Sequence, residues 1–97
     1  MKPFRWNHQK NDELKAPRHI SFEEVVLAIE AGGLRDVLKH SNPAKYPRQF
    51  VFVVVVADYA YLVPFVEEED HYFLKTIIPS RKATRDYLKD DEEHEKA

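Results

Sequence analysis

The stretch that decides the fold is residues 49–57, QFVFVVVVA. Successive side chains of a strand point to opposite faces, and both sets of side chains are apolar in this stretch. One face carries Phe50, Phe52, Val54 and Val56, and the other carries Val51, Val53 and Val55. Such a run predicts a central strand that is covered on both faces.

Two further strands are expected after this central strand. Asp58 and Tyr59 mark a tight turn into YAYLVPFVE, and EEED at 67–70 marks a second turn into HYFLKTII. Pro64 has no N–H for a ladder hydrogen bond, so we expect an edge-facing or bulged position there. The three segments together predict an antiparallel meander.

Two helices are expected before the central strand. Asn7 is a typical N-cap for a short helix that runs through Leu14 and ends before Pro17. Ser21 and Glu24 have the spacing of a capping box, and the apolar residues that follow recur at helical spacing. This second helix is the clearest helical signal in the chain.

The remaining segments complete the expected architecture. PFRW at 3–6 suggests a short opening strand, and Ser80 caps a terminal helix that ends near Lys89. LRDVLKH at 34–40 fits either a strand or a helical extension. The sequence therefore predicts an α+β fold, with N-terminal helices and a C-terminal helix on a three- to four-stranded antiparallel sheet. We expect one domain over 1–89 and an acidic disordered tail over 90–97.

Composition indicates the class of protein. The chain has 97 residues, of which 43% are hydrophobic, and it contains no cysteine, which fits a reducing cytosol. No apolar segment follows the basic residues of the N-terminus, so a signal peptide is not expected. The longest apolar run is far shorter than the roughly 20 residues of a membrane helix. We therefore expect a soluble, cytoplasmic protein without a membrane partner.

Charge is distributed unevenly along the chain. The formal net charge is −2, but residues 90–97 alone hold five acids and one lysine. The preceding 89 residues carry 14 basic and 12 acidic groups. Weak positive charge does not establish nucleic-acid binding. Whether the basic residues cluster on one surface is the more informative observation.

The histidines do not indicate a metal site. No close ligand spacing relates the five of them, which are His8, His19, His40, His71 and His94. EEED at 67–70 is typical of a hairpin turn rather than of a calcium-binding loop. We expect neither a metal nor an organic cofactor.

Basic residues cluster where the last strand meets the terminal helix, in IIPSRKATRDYL at 77–88. Arg81 and Arg85 are four residues apart and share one helix face, with Lys82 beside them. A helix N-terminus favours anions, so cations there predict a phosphate clamp, the alternative being a solvated basic face. If the last strand alternates, Lys75 shares a half-apolar face with His71, Phe73 and Ile77 near this helix start, where it either contacts phosphate or extends its ammonium into water.

The loop at 40–48 supplies an imidazole from His40, a phenol from Tyr46 and two cations, Lys45 and Arg48. In metal-free RNA cleavage a base activates the 2′-hydroxyl, an acid protonates the leaving 5′-oxygen, and a cation stabilises the phosphorane. The loop residues fit the acid and base roles if the fold brings them to the basic junction; otherwise they are ordinary loop residues. The candidate catalytic residues are Arg81, Lys82, Lys75, His40 and Tyr46, and the candidate RNA-binding residues are Arg48 and Arg85.

Three segments together resemble one known family. FRWNHQKN at 4–11 resembles the F-x-W-D-x-x-K-x start of the BrnT-type toxins of bacterial type II toxin–antitoxin pairs. RHISFEEV at 18–25 resembles their K-H-G-[IV]-S-F-E-E-A, and IIPSRKAT at 77–84 resembles their I-I-S-A-R-K-A-T. The three segments occur in the family's order and span most of residues 4–87.

The resemblance implies a small RelE-like α+β ribonuclease that cuts RNA without a metal. It also implies a cognate antitoxin protein that blocks the active surface, with a homodimer and a toxin–antitoxin heterocomplex left open as assemblies. The functional basic residues at the family's strand–helix junction correspond here to Arg81 and Lys82.

The chain departs from the family pattern at several positions. Asn7 stands where the family usually has aspartate, and Thr76 stands where it usually has arginine. The glutamate-arginine element ahead of the central strand corresponds here to Tyr46-Pro47-Arg48. These departures leave a second hypothesis open, a non-catalytic interaction module that retains only the binding of a protein partner.

Overall fold

The central strand is β3, Gln49–Val56, which pairs on one side with β2, Leu34–Lys39, and on the other with β4, Tyr59–Glu67. The structure is a computed structural model that describes the backbone of residues 1–96 and the side chains of residues 1–88. The middle of β3 is buried on both faces, with Phe52, Val53 and Val54 at most 2% exposed. The predicted central strand is confirmed.

Helices cover the two faces of the sheet separately. One apolar cluster joins Phe52, Val54 and Val63 to residues of the first two helices, including Leu14 and Phe22. A second cluster joins Val53 and Ala60 to Ala83 of the terminal helix, with Val55, Leu62 and Tyr87 packed around them. The predicted α+β class is confirmed.

The connection between β3 and β4 is a two-residue turn. Val56 pairs with Tyr59, and the turn residues Ala57 and Asp58 have φ values of 50° and 62°. Positive φ at both central positions is the mirror-image turn that matches the twist of a hairpin. The predicted tight turn is confirmed, one residue earlier in the chain than expected.

The sheet is larger than predicted. The predicted opening strand is present as β1, Phe4–Trp6, whereas the predicted strand HYFLKTII is divided into two short strands, β5 at Tyr72–Leu74 and β6 at Ile78–Pro79. Within residues 1–96 the sheet has six strands in the order β1-β5-β4-β3-β2, with β6 also paired to β4. It is mixed, because β1 runs parallel to β5 while the other pairs are antiparallel. The predicted last strand is divided because residues 75–77 lie outside the sheet, and the ambiguous segment at 34–40 forms the strand β2.

Pro64 lies where β4 changes neighbours. Residues 65–67 pair with β5, and Tyr61 and Leu62 pair with β6. The carbonyl of Pro64 accepts the N–H of Lys75 at 2.8 Å. The N–H and C=O groups of one strand residue point to the same side, so the missing N–H of Pro64 faces the gap between β5 and β6. The expectation of an irregular position at this proline is confirmed.

The first two helices cover one face of the sheet. The helix α1 spans His8–Arg18, and the side chain of Asn7 accepts the N–H of Lys10 at 2.9 Å. The predicted end before Pro17 is wrong, because α1 includes this proline and ends at a left-handed residue, His19, with φ of 53°. Pro17 costs the helix one hydrogen bond, to the carbonyl of Glu13, and the helix still closes after it through the N–H of His19, which donates to the carbonyl of Lys15 at 3.1 Å.

The second helix, α2, spans Phe22–Glu30. The side chain of Ser21 accepts the N–H of Glu24 at 3.2 Å, as the capping signal predicts. After α2 the chain passes so close to β3 that a side chain at Gly33 would contact backbone. A Cβ there would lie 2.7 Å from the carbonyl oxygen of Val55, so this position requires glycine.

The terminal helix, α3, spans Arg81–Lys96 and packs on the opposite face. It continues past Lys89, where its end was predicted. The predicted disordered tail over 90–97 lies outside the described side chains, and it stays a prediction. Within residues 1–96, no helix is both long and apolar enough to cross a membrane.

A buried amide joins α1 to α2. Asn11 is 3% exposed, its amide NH₂ donates to Oε1 of Glu23 at 2.6 Å, and its carbonyl oxygen accepts the N–H of Phe22 at 2.8 Å. The hydrogen bond from Asn11 is the main cause that lowers the pKa of the Glu23 carboxyl. Because that N–H belongs to the first turn of α2, Asn11 completes the helix start from a distant position.

We expect Asn11→Ala to lower the free energy of unfolding by about 2 kcal/mol at pH 7, since it leaves the buried N–H of Phe22 without its acceptor. Urea unfolding of both proteins would measure the loss. Gln9→Ala, a change at an exposed position on the same helix, serves as the control.

The difference in unfolding free energy between wild type and Asn11→Ala is expected to depend on pH. A lowered pKa for Glu23 stabilises the fold above the ordinary glutamate pKa, and this contribution is lost as pH falls through the lowered value. The difference between wild type and Asn11→Ala is therefore expected to shrink below about pH 4. A difference that grows on acidification would contradict the role of the Asn11–Glu23 contact.

Candidate functional site

The start of α3 is fixed to the first residue pairs of the β3–β4 hairpin. Ser80 N–H donates to the carbonyl of Ala60 at 3.0 Å, and Ala60 N–H donates to the hydroxyl of Thr84 at 2.9 Å. The Ser80 hydroxyl accepts the N–H of Ala83 at 3.0 Å, which confirms the predicted cap. These bonds attach the first turn of the helix rigidly to the sheet.

Cations and unused backbone donors meet in this first turn. The N–H groups of Arg81 and Lys82 precede the intrahelical hydrogen bonds of α3, the first of which runs from Thr84 to the carbonyl of Ser80. The side chains of Arg81 and Lys82 are exposed, and the first turn contains no acidic residue. The helix start therefore combines partial positive charge with two full charges, which is suited to a phosphate.

Lys75 extends the basic surface along β4. Its N–H is bonded to Pro64, four residues along β4 from the Ala60 that holds the helix start, or about 13 Å at the usual rise per residue. Its side chain is exposed, whereas the neighbouring Leu74 and Ile77 are buried in the core beneath α1 and α2. The expected shared face of Lys75 and Ile77 is wrong, because residues 75–77 leave the regular strand.

Helical spacing places Lys82 on the flank of α3 that lies toward Lys75. Ala83 faces the sheet, and Thr84 faces the hairpin at Ala60. Each residue advances about 100° around a helix, so Lys82 lies on the opposite flank from Thr84. Arg81 and Lys82 thus lie at the helix start and Lys75 lies beside β4 on the same flank, and we call these three residues the junction cations.

The junction cations are free of local ion pairs where side chains are described. Among the side chains of residues 1–88, no carboxylate approaches any of the three within 4.0 Å. Arg85 differs, because its Nε lies 3.6 Å from Oδ1 of Asp86, and both side chains are largely exposed. Such a solvated pair is weak and leaves the charge of Arg85 available for a phosphate.

The loop candidates lie at the other end of the sheet. His40 N–H donates to the carbonyl of Gln49 at 3.1 Å, which places it beside the first residue of β3. The rings of His40 and Tyr46 are 4.5 Å apart, and Nδ1 of His40 accepts the N–H of Asn42 at 2.9 Å. The neutral imidazole therefore carries its proton on Nε2. Arg48 lies in the same region, with its guanidinium 4.0 Å from Glu68.

The fold does not bring the loop residues His40 and Tyr46 close to the start of α3. Gln49 pairs with Val66 of β4, whereas the start of α3 is bonded to Ala60 at the beginning of the same strand. Six residues of strand separate these levels, which is about 20 Å. His40 and Tyr46 therefore do not reach a phosphate that is held by Arg81 and Lys82. The two ends of the sheet form separate polar sites.

Two residues of the junction escaped sequence reasoning. Thr84 accepts a hydrogen bond from the hairpin, and its hydroxyl donates to the carbonyl of Ser80 at 2.8 Å. Its position one helical turn after Ser80 is its only signal in the local sequence. Arg18 of α1 donates from its guanidinium to the carbonyl of Ile77, just before the junction. That contact joins residues 59 positions apart, so no local pattern signals it.

A further contact fixes the direction of α3 across the sheet. The hydroxyl of Tyr87 donates to Oδ2 of Asp36 on β2 at 2.7 Å. This bond to a carboxylate is the main cause that raises the pKa of the Tyr87 phenol, followed by burial. With Ser80 anchored at β4 and Tyr87 at β2, α3 lies across three strands, and the position of its basic first turn is determined at both ends.

No group of three or more potential metal ligands converges among the described residues. Comparisons of the chain with family models, with curated proteins and with solved structures found no match. The functional argument therefore rests on the residues and their geometry.

The separation of the two sites predicts how their variants combine. The RNA binding that the sequence predicts is expected to weaken additively in Arg81→Ala and His40→Ala, within about 0.5 kcal/mol, because the residues share no partner across this distance. Anisotropy of a fluorescent RNA at low salt would measure the single and double variants. Arg81→Ala with Lys82→Ala is the comparison pair, for which we expect non-additive losses. A coupling above about 1 kcal/mol between Arg81 and His40 would show that both contact one phosphate.

Proposed function

We propose that the chain is the toxin of a type II toxin–antitoxin pair, a RelE-like ribonuclease of the BrnT type that acts on RNA in the cytoplasm without a metal. The observation that carries this proposal is the position of the exposed Arg81 and Lys82 at the rigid start of α3, with the exposed Lys75 farther along β4. The sequence supports the proposal through IIPSRKAT at 77–84, which resembles the I-I-S-A-R-K-A-T segment of the BrnT-type toxins. The basic residues of this segment lie at the start of α3.

The chemistry assigned to the junction is the binding and stabilisation of a phosphate. The backbone N–H groups of Arg81 and Lys82 bind the non-bridging oxygens, and the guanidinium of Arg81 binds them in two-point fashion. When the 2′-oxygen attacks phosphorus, negative charge grows on those oxygens as the bond to the 5′-oxygen breaks. Cations that are already oriented stabilise this phosphorane more than they stabilise the bound substrate.

The roles of the remaining candidates follow from their positions. Lys75 contacts the phosphate or the leaving 5′-oxygen from the β4 side, and Arg85 binds a neighbouring phosphate one helical turn along α3. His40, Tyr46 and Arg48 contact a different part of the same RNA strand at the far end of the sheet. The neighbouring rings of His40 and Tyr46, tilted by 47° to each other, suit an unpaired base, which stacks readily on aromatic side chains.

The cognate antitoxin is the proposed protein partner. An antitoxin neutralises such a ribonuclease by covering its cations or by preventing RNA from reaching them. Acidic residues in the partner are expected, because the cations that bind phosphate also attract carboxylates.

Growth after induced expression in a bacterium without the neighbouring gene tests this function. We expect wild type to arrest growth, and Arg81→Ala or Lys82→Ala to lose arrest while remaining folded, since both residues are exposed. Lys15→Ala removes an exposed cation from α1 on the other face and is the matched control, expected to arrest growth like wild type.

Cleavage of a labelled RNA by the purified proteins, in chelator, provides the direct measurement. Loss of one phosphate-stabilising cation is expected to slow cleavage by about a hundredfold or more, the scale for removing one stabilising donor. Wild-type protein that is folded and neither arrests growth nor cleaves RNA contradicts the ribonuclease proposal. Equal cleavage by wild type and Arg81→Ala contradicts the assigned site.

One observation favours the second hypothesis, a non-catalytic interaction module. The face of the sheet under α3 is covered only near the helix among the described residues, and apolar side chains beyond it are half-buried or exposed. These side chains are Leu38, Val51, Pro64, Val66 and Phe73. Stable stoichiometric binding of the neighbouring gene product, without RNA cleavage, would support this function over the first.

A further inference from the structure

A small cavity lies beside the loop at 40–48, where β2 ends and β3 begins. It measures about 210 Å³, and residues of the loop and of both strands line it. A cavity of about 150 Å³ is enough to hold benzene, so this one has room for a flat heterocyclic ring. We call it the loop cavity, and its lining residues are Lys39, Pro43, Tyr46, Pro47, Gln49 and Phe50.

The walls of the loop cavity consist mainly of ring-bearing side chains. Tyr46 and Phe50 are each half-buried, and two prolines accompany them. The loop holds Tyr46 through its backbone, because its N–H donates to the carbonyl of Asn42 at 3.0 Å and its carbonyl accepts the N–H of Gln49 at 3.2 Å. Phe50 is held in the ladder of β3. Such preformed, flat and apolar walls suit an unpaired base, which has lost its own stacking partners.

Lys39 provides a hydrogen-bond donor at the loop cavity. It lies opposite Phe50 in the β2–β3 pair, and opposite residues of an antiparallel pair project to the same face of the sheet. Among the side chains of residues 1–88, no carboxylate lies within 4.0 Å of its ammonium group. An ammonium group donates hydrogen bonds and accepts none, so it requires an acceptor on the ligand.

The charges around the loop cavity favour a polyanion such as RNA. Residues 37–57 include three lysines and arginines and no acidic residue. Two acids approach from the end of β4, and a cation already engages each of them, at 3.1 Å for Glu67 and 4.0 Å for Glu68. The ammonium groups of Lys39 and Lys45 have no carboxylate partner among the described side chains, so the charge of Lys45 is available to a phosphate next to the base.

The need for an acceptor separates the four bases of RNA. Guanine and uracil present a carbonyl oxygen where adenine and cytosine present an amino group. The carbonyl oxygen accepts a hydrogen bond from Lys39, whereas an amino group in its place brings two donors together. A lysine at this position therefore favours the two keto bases.

We propose that the loop cavity binds one unpaired keto base of RNA, guanine or uracil, and that Lys39 selects this base by donating to its carbonyl oxygen. The inference rests on the proposed binding of RNA and adds a base preference to it. Because the loop and the junction lie at opposite ends of the sheet, the selected base is distant from the phosphate that the junction cations hold.

Fluorescence anisotropy with labelled ten-nucleotide RNAs tests the proposal. The reference RNA contains only adenine, and three others carry a single central guanine, uracil or cytosine. We expect the guanine and uracil RNAs to bind about fivefold more tightly than the reference, which corresponds to about 1 kcal/mol for one added hydrogen bond. The cytosine RNA is expected to bind like the reference.

Two lysine variants provide a matched comparison. Lys39→Met keeps the length of the side chain and removes its donor, so the preference for guanine and uracil is expected to disappear. Lys45→Met removes the same charge from the same loop and is expected to weaken all four RNAs alike while the preference remains. Both lysines are exposed, so both variants should fold. Arg81→Ala is likewise expected to lower the affinity for every RNA and to keep the preference.

The outcomes separate this proposal from the ribonuclease proposal. Equal affinity for all four RNAs, or a preference that survives Lys39→Met, would overturn the base site and leave the ribonuclease proposal standing. Displacement of the guanine RNA by free guanosine monophosphate at equal concentration would make a free nucleotide the ligand instead of RNA. No binding to any of the RNAs would overturn both proposals. A preference that depends on Lys39, in a protein that cleaves no RNA, would support the base site and contradict catalysis alone.

Discussion

The need to bury both faces of β3 is the constraint on which the rest of the structure depends. Phe52, Val53 and Val54 are neighbours in sequence, point alternately to the two faces, and are almost fully buried. Each such side chain contributes about 1.5–3 kcal/mol when buried, so neither face can stay open without losing much of a small domain's stability. The chain meets this demand with α1 and α2 on one face and α3 on the other.

That demand also determines where the basic residues lie. To cover Val53 and Ala60, α3 has to start at the β3–β4 hairpin, and Ser80 and Thr84 fix it there through the two peptide groups of Ala60. The first turn, with Arg81 and Lys82, is held at the end of a rigid sheet. The same rigidity keeps the loop of His40 and Tyr46 at the opposite end, because paired strands of fixed length do not fold back on themselves. A composite site of all the candidate residues is therefore excluded by strand geometry.

Sequence reasoning succeeded where a signal is local and periodic. The two-faced pattern of β3 and the caps at Ser21 and Ser80 each involve residues within a few positions, and all three are present in the structure. Sequence reasoning failed where the structure depends on contacts between segments that are distant in the chain. Nothing within Phe4–Trp6 indicates that this strand pairs in parallel with β5, since that pairing depends on the position left free beside β4. The contact of Asn11 with Phe22 is equally non-local, although it determines how α1 meets α2.

The candidate site shows the same division. The basic cluster in IIPSRKAT was visible as a pattern, but its separation from His40 follows from the register of β3 and β4, which the sequence does not display. The alternation expected to place Lys75 beside Ile77 also failed. Pro64 interrupts the ladder there, and the chain at residues 75–77 leaves the strand to bring Ile77 into the core. A local departure from regular structure thus leaves Lys75 exposed, about 13 Å along β4 from the residue that anchors the start of α3.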